Sequence, residues 1–381
     1  MENYPHISFQ NNWTLSDNTW YKLGQCKSII IAISNAPIQP EYRKKLLEIS
    51  LRKGAQATTA IEGNTLSIEE IQNIQEGKKL APSKEYQEIE VKNVLDSYNE
   101  LLNEVILKKK DELISETIIK RFHAMIGKNL GDALQAIPGK FRQNNVNVGS
   151  YRPPDSQTVE ELIKKLCEWL KNNFKYSSGK ISFSDSIIEA IVAHVYIAWI
   201  HPFGDGNGRT ARLLEFYILL RGGLPDIASH VLSNFYNNTR TEYYRQLDKA
   251  TKERNLSGFI EYAVRGFRDE LLNVLNTIQV NHFEIMWKNY IYDKFKDIRY
   301  GSVEVFKRRR ELMLKFPMNK SLTTNEIIES HPDLMRKYLR KSKLTLVRDL
   351  DELIKLSLVV KNNTKYRSNT NLLLSSIPLK K

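Results

Sequence analysis

Apolar residues along this chain recur mainly at helical spacing. Ile187, Ile191, Val195 and Ala198 fall on one face of a helix that runs to Ile200, and a second amphipathic stretch, Ala211 to Leu220, continues until Gly222-Gly223 stops it. Residues 1 to 110 read as several amphipathic helices, among them Glu85 to Leu102, with Pro37, Pro40 and Pro82 as breaks. Ser184-Asp185 and Ser257 read as helix caps, and Asn281 to Tyr300 as a long helical connector. Strand-like patterning is confined to two places. Gly139-Lys140-Phe141-Arg142 through Val146-Asn147-Val148-Gly149, ahead of Pro153-Pro154, alternates like a short hairpin. Near the C-terminus, Leu358-Val359-Val360 and Lys365-Tyr366-Arg367 flank the turn Asn362-Asn363-Thr364. Before that turn lie a capped short helix, Leu322 to Ile328, and a longer one, Ser342 to Leu356, with Leu346, Leu350, Leu353 and Ile354 apolar. The pattern predicts a mainly α protein in three regions, 1–112, 113–275 and 276–381, without internal repeats or low-complexity linkers.

Charge changes the reading of the last region. The chain of 381 residues carries a net charge of +13, yet residues 301–381 hold 18 Lys and Arg against 8 Asp and Glu, a net of +10. Helix, helix, hairpin is the element order of a winged helix, and the tail resembles that module. Lys341, Lys343 and Arg348 could then enter a DNA major groove while Lys361, Lys365 and Arg367 reach phosphates from the wing. The alternative is a protein-docking or homodimer module in which Lys307-Arg308-Arg309-Arg310 is a solvated helix face. Elsewhere, Cys26 and Cys167 are too few for a disulfide framework and lack metal-ligand spacing, so a reducing, cytoplasmic compartment is expected. No basic leader is followed by an apolar run, and the longest apolar stretch, Ile187 to Ile200, is interrupted by Glu189 and His194, which argues against a membrane span. No Gly-x-x-x-x-Gly-Lys loop is present.

The two central helices are joined by the densest chemistry in the sequence, His201-Pro202-Phe203-Gly204-Asp205-Gly206-Asn207-Gly208-Arg209. Gly206 and Gly208 remove side chains where a ligand must come close, and the first N–H groups of the following helix attract an anion. Asn207 can add an amide donor, Arg209 and Arg212 can grip phosphate oxygens, and Asp205 is a hard ligand for magnesium. His201 is then the natural general base, since an imidazole near its ordinary pKa suits that task. Such clusters also occur as plain interhelical turns.

Through Arg212 the stretch resembles, position for position, the His-x-Phe-x-Asp/Glu-Gly-Asn-Gly-Arg-x-x-Arg signature of the Fic family. The resemblance implies a helical Fic core that transfers AMP from Mg-ATP to a Ser, Thr or Tyr hydroxyl of a target protein, and of the chain itself. His201 would be the base, Asp205 the Mg2+ ligand, Gly206, Asn207 and Gly208 the anion hole, Arg209 and Arg212 the clamps on the β- and γ-phosphates, and Phe203 a core anchor. Gly208 also sets the chain apart from the phosphotransferring Doc branch, which carries Lys there. Gly139, Arg142, Val146 and Val148 resemble the family's flap, whose edge would dock an extended target by strand addition. Asn238-Thr239-Arg240 and Tyr243-Tyr244 with Leu247 resemble its adenine pocket, to which Tyr244 is assigned.

Upstream, Thr58-Thr59-Ala60-Ile61-Glu62-Gly63 fits the family pattern Ser/Thr-x-x-x-Glu-Gly/Asn of an inhibitory helix. Thr58 and Glu62, one turn apart, share a face. The resemblance implies that Glu62 pairs with Arg212 and so displaces ATP, with Gly63 ending the helix. Two other outcomes stay open: a bifunctional enzyme that also removes AMP, and a DNA-binding regulator that uses the Fic core as a sensor.

Overall fold

The computed structural model describes residues 4–174, 182–296, 298 and 302–374. The chain divides into two compact units, Met1–Ile278 and Gln279–Lys381. The N-terminal region and the core expected as separate domains therefore share one unit.

At the centre of the first unit lies the helix Phe183–Ile200, fully buried at Ile187, Ile191, Val195, Ile197 and Ile200. It is the one helix among the described residues long and apolar enough to cross a membrane, but 78% of it is buried inside the protein, as befits a core helix. Its N-cap is Ser182, whose side chain accepts from the Asp185 N–H, two residues ahead of the expected start. The partner helix, Asn207–Arg221, is buried on nearly every side, because Pro40–Ile61, Glu85–Leu102 and Glu116–Ile126 also pack on it. Pro40 opens its helix at a position where a missing N–H costs nothing, and Gly63, at φ 103°, lets the chain turn out after Glu62. The expected flap hairpin is not formed. Residues 139–155 run as loop, with a single bridge, Val148 to Tyr151, because the segment's donors and acceptors go mostly to side chains instead of to a ladder.

Of the connector expected at Asn281 to Tyr300, residues 281–296 belong to one helix, Ser257–Lys296, and Tyr300 lies outside the described residues. In the second unit Val303–Lys315, Thr324–Glu329, Pro332–Tyr338 and Lys343–Lys355 precede an antiparallel hairpin, Val359–Asn362 with Lys365–Ser368. Thr323 and Glu326 form a reciprocal capping box at the start of the second of these helices. Leu322 pairs with Tyr366 in an isolated antiparallel bridge beside the two-stranded hairpin. The Pro332–Tyr338 helix was not legible in the pattern. Leu312, Ile327, Leu334, Leu346, Leu350, Leu353 and Leu358 are the centre of this unit's own core.

Candidate active site

His201 closes the first central helix in a left-handed conformation, φ 51°, and its N–H still donates to Ile197 O at 2.9 Å. That turn throws the imidazole off the helix axis and into a cavity of about 270 Å3. The cavity is also lined by Glu62, Val148, Tyr151, Asn207, Gly208, Arg212, Tyr244 and Leu247. His201 Nδ1 lies 3.4 Å from Ala198 O, so it carries the ring proton and leaves Nε2 with its lone pair. Burial pushes this histidine down to about 4, with the nearby Arg142 adding to the effect. The ring is therefore neutral at pH 7, and its basicity is lower than the ordinary value expected from the sequence.

Gly206, at φ 77°, re-enters the second helix. Its N–H donates to Asp205 Oδ1, while the N–H groups of Asn207, Gly208 and Arg209 precede the first intrahelical acceptor and face the loop. The Asn207 side chain differs from expectation. Its Oδ1 accepts from Phe203 N–H and its Nδ2 donates to Phe203 O, both at 2.9 Å, so the amide braces the loop and keeps one Nδ2–H besides. Phe203 is fully buried and stacks on His123 at 3.8 Å.

The two arginines are both buried and both already paired. Arg212 donates through Nε to Thr58 Oγ1 at 2.6 Å, and through Nη2 to Thr58 O at 2.9 Å and to Glu62 Oε1 at 2.6 Å. Burial alone would push the Glu62 carboxyl up, but Arg212, with Arg209 and Arg240 nearby, holds it below the usual carboxylate range. Arg209 contacts Glu90 through Nη1 and Asp205 through Nη2, and its buried Nε–H has no acceptor among the described residues. An orphan donor of this kind is what an anionic ligand would satisfy. Asp205 keeps 36% of its side chain exposed. One accessible carboxylate beside a phosphate site fits magnesium, which is commonly held by one or two carboxylates plus substrate phosphates.

Arg142 is not an exposed docking residue. It is buried, donates through Nε to His201 O at 2.8 Å, through Nη1 to Asn144 O at 3.0 Å and through Nη2 to Pro154 O, and so ties both ends of the flap to the motif. Gly139, at φ 76°, donates its N–H to His123 Nδ1. Of the four flap residues, Val148 lines the cavity and Val146 is half-buried outside it. Tyr244 lines the cavity and stays 47% exposed, whereas Tyr243 is buried and bonded to His194 Nε2 at 2.9 Å. At Gly208 a methyl group would collide with Glu62 Oε1 and lie 3.1 Å from Arg212 Nη1, so a side chain there requires the Glu62–Arg212 pair to shift.

Three supporting residues escaped the sequence reading. His123, pushed down to about 4 by burial, accepts from Gly139 N–H at Nδ1 and therefore donates from Nε2 to Asp205 O at 3.0 Å, coupling flap to motif. Glu90 contacts Arg209 and accepts from Asn64, which follows the Thr58–Glu62 turn, at 2.7 Å. Tyr151 donates to Trp199 O at 2.8 Å and meets His6 Nε2 at 3.0 Å. None has a fixed spacing to the motif, so sequence alone offered no signal.

Residues 113–219 match the model of the Fic/DOC family. Over 208 residues the chain is 34% identical to protein adenylyltransferase fic-1 of Caenorhabditis elegans, a match covering 55% of this chain and 38% of that protein. It is 31% identical to protein adenylyltransferase Fic of Nematostella vectensis, covering 55% of this chain and 45% of that one. The chain thus spans less than half the length of either relative. A solved structure of Fic-1 residues 134–508 from C. elegans superposes with a TM-score of 0.57 at 27% identity, covering 69% of this chain and 73% of that one. A Fic family protein from Desulfovibrio desulfuricans shares the fold at a TM-score of 0.58 and 19% identity, over 94% of this chain and 98% of that one.

Proposed function

We propose, from the match of residues 113–219 to the Fic/DOC family model, that the chain transfers AMP from ATP to a hydroxyl side chain of a protein, under restraint by its own Pro40–Ile61 helix and the Glu62 that follows it. The observation that carries this reading is the convergence of a neutral imidazole, a helix N-terminus and a buried arginine on one cavity. His201 Nε2 takes the proton of the target hydroxyl as its oxygen attacks the α-phosphorus. The new O–Pα bond forms as the bond from Pα to the bridging oxygen of the β-phosphate breaks, and pyrophosphate leaves. The N–H groups that open the Asn207–Arg221 helix and the Arg209 Nε–H stabilise charge on the phosphate oxygens. Asp205 would hold Mg2+, which neutralises developing phosphate charge when bound. Tyr244 and Leu247 provide apolar surface for the base. Restraint follows from Arg212, whose Nε–H and two Nη2–H donors are occupied by Thr58 and Glu62 and so are withheld from phosphate.

The test uses purified protein with magnesium, cell lysate and ATP labelled at the α- or γ-phosphate. Protein-bound label from α alone, absent with His201→Ala, is expected. Label from γ would mean the nucleotide lies the other way round, and no label from either position would overturn the reading.

A further inference from the structure

The second unit has a function that AMP transfer does not use: we infer that it binds duplex DNA through the outward face of the Lys343–Lys355 helix, the turn before it and the wing. This inference is independent of the transfer reaction. The helix is divided cleanly, with Leu346, Asp349, Leu350 and Leu353 buried and Leu344, Arg348, Asp351 and Lys355 outside.

Asp349 decides which cations remain for a ligand. Only 1% exposed, it accepts from Arg308 at 2.6 and 3.0 Å, from Arg309 at 2.8 Å and from the Tyr338 hydroxyl at 2.9 Å. Arg308 and Arg309 of the Lys307–Arg310 run are therefore held against the unit by Asp349, with Glu352 adding a second carboxylate at Arg309, so that run is not a plain solvated face. The outward cations lie elsewhere. Arg340 and Lys341 are exposed in the turn before the helix, Arg348 on the helix, and Lys361 and Lys365 on the wing. Arg336, with 80% of its side chain exposed, stands only at 3.9 Å from Asp333. On the helix itself the opposing charge is Asp351, since Glu352 is engaged by Arg309 and Lys355.

Duplex DNA fits this surface better than two other partners. A helix about 10–12 Å across fills the major groove of B-form DNA, about 12 Å wide, whereas the deep, narrow major groove of A-form RNA excludes it. Protein interfaces are depleted in lysine, and Lys341, Lys361 and Lys365 stand here in the open. The exposed Leu344 suits contact with a thymine methyl group. The Leu322 bridge to Tyr366 anchors the wing, so that Lys361 and Lys365 are presented from a fixed hairpin.

The experiment titrates full-length protein against a fluorescein-labelled, mixed-sequence DNA duplex and follows anisotropy at several salt concentrations. Six outward cations predict an affinity loss of about 10³-fold between 50 and 200 mM salt. Lys341→Glu with Arg348→Glu, and separately Lys361→Glu with Lys365→Glu, should each flatten the log–log salt slope by about 2, with the melting temperature unchanged. Absence of binding, binding untouched by both pairs of substitutions, or equal competition by an RNA duplex would overturn the inference.

Discussion

Replacing Glu62 tests the link between the Pro40–Ile61 helix and catalysis. Arg212 donates three hydrogen bonds to that helix, and Glu62 supplies the only carboxylate among the acceptors. Glu62→Gly leaves the two Thr58 contacts in place and frees one Nη2–H toward the cavity. A charge-assisted bond from that donor to phosphate contributes about 1.5–3 kcal/mol, so AMP transfer should rise about 10- to 150-fold. Breaking a fully buried ion pair costs about 3–5 kcal/mol, but Glu62 keeps 31% of its side chain exposed and water can replace it at Arg212, so the stability loss should be nearer 1–2 kcal/mol. The assay is the initial rate of transfer from α-labelled ATP, read beside a thermal melt. Glu62→Gln, which keeps the volume and an acceptor but loses the charge, should fall between the two. The reasoning fails if Glu62→Gly stays folded and its rate does not change, for Arg212 would then not be the withheld group.

Further outcomes follow from the same geometry. Arg142→Lys removes the fork that joins His201 O, Asn144 O and Pro154 O, so kcat/KM should fall about 100-fold or more, by the loss of two buried acceptors' partners at about 1–3 kcal/mol each; an unchanged rate would remove Arg142 from the role of holding His201. Gly208→Ala places a methyl group against Glu62 and Arg212, and transfer should fall; combined with Glu62→Gly, which removes the closer contact, part of the rate should return, and a double variant no faster than Gly208→Ala alone would refute this. His6, His123, His201 and His230 are each pushed down to about 4 by burial. The unfolded chain binds their protons near 6.5 and the folded chain only near 4, so the stability of these neutral rings is complete above 6.5 and lost as pH falls toward 4. Each ring contributes up to about 1.4 kcal/mol per pH unit in that window, and a melting temperature flat from pH 7 to 4 would contradict it. For the same reason, kcat/KM should titrate with the His201 group nearer 4 than 6.5.

The sequence by itself determined the central pair of helices, the motif between them, the Thr58–Glu62 turn and the helix-helix-hairpin tail. Each is set by short-range physics: periodic apolar faces, glycines where the backbone must turn left-handed, and caps within a few residues of the groups they satisfy. Only the tertiary structure decided what these residues meet. Asn207, expected as a phosphate donor, also braces Phe203, Arg142 looked like a docking residue and proved to be a buried staple, and the flap's alternation did not become a hairpin. His123 and Glu90 entered the site from helices that carry no motif. A buried polar group must find a partner wherever the packing puts one, and Arg142 meets His201 59 residues away, His123 meets Asp205 82 away and Glu90 meets Arg209 119 away, where no local pattern can register them. Burial likewise moved the His201 pKa away from the ordinary value its residue type suggests.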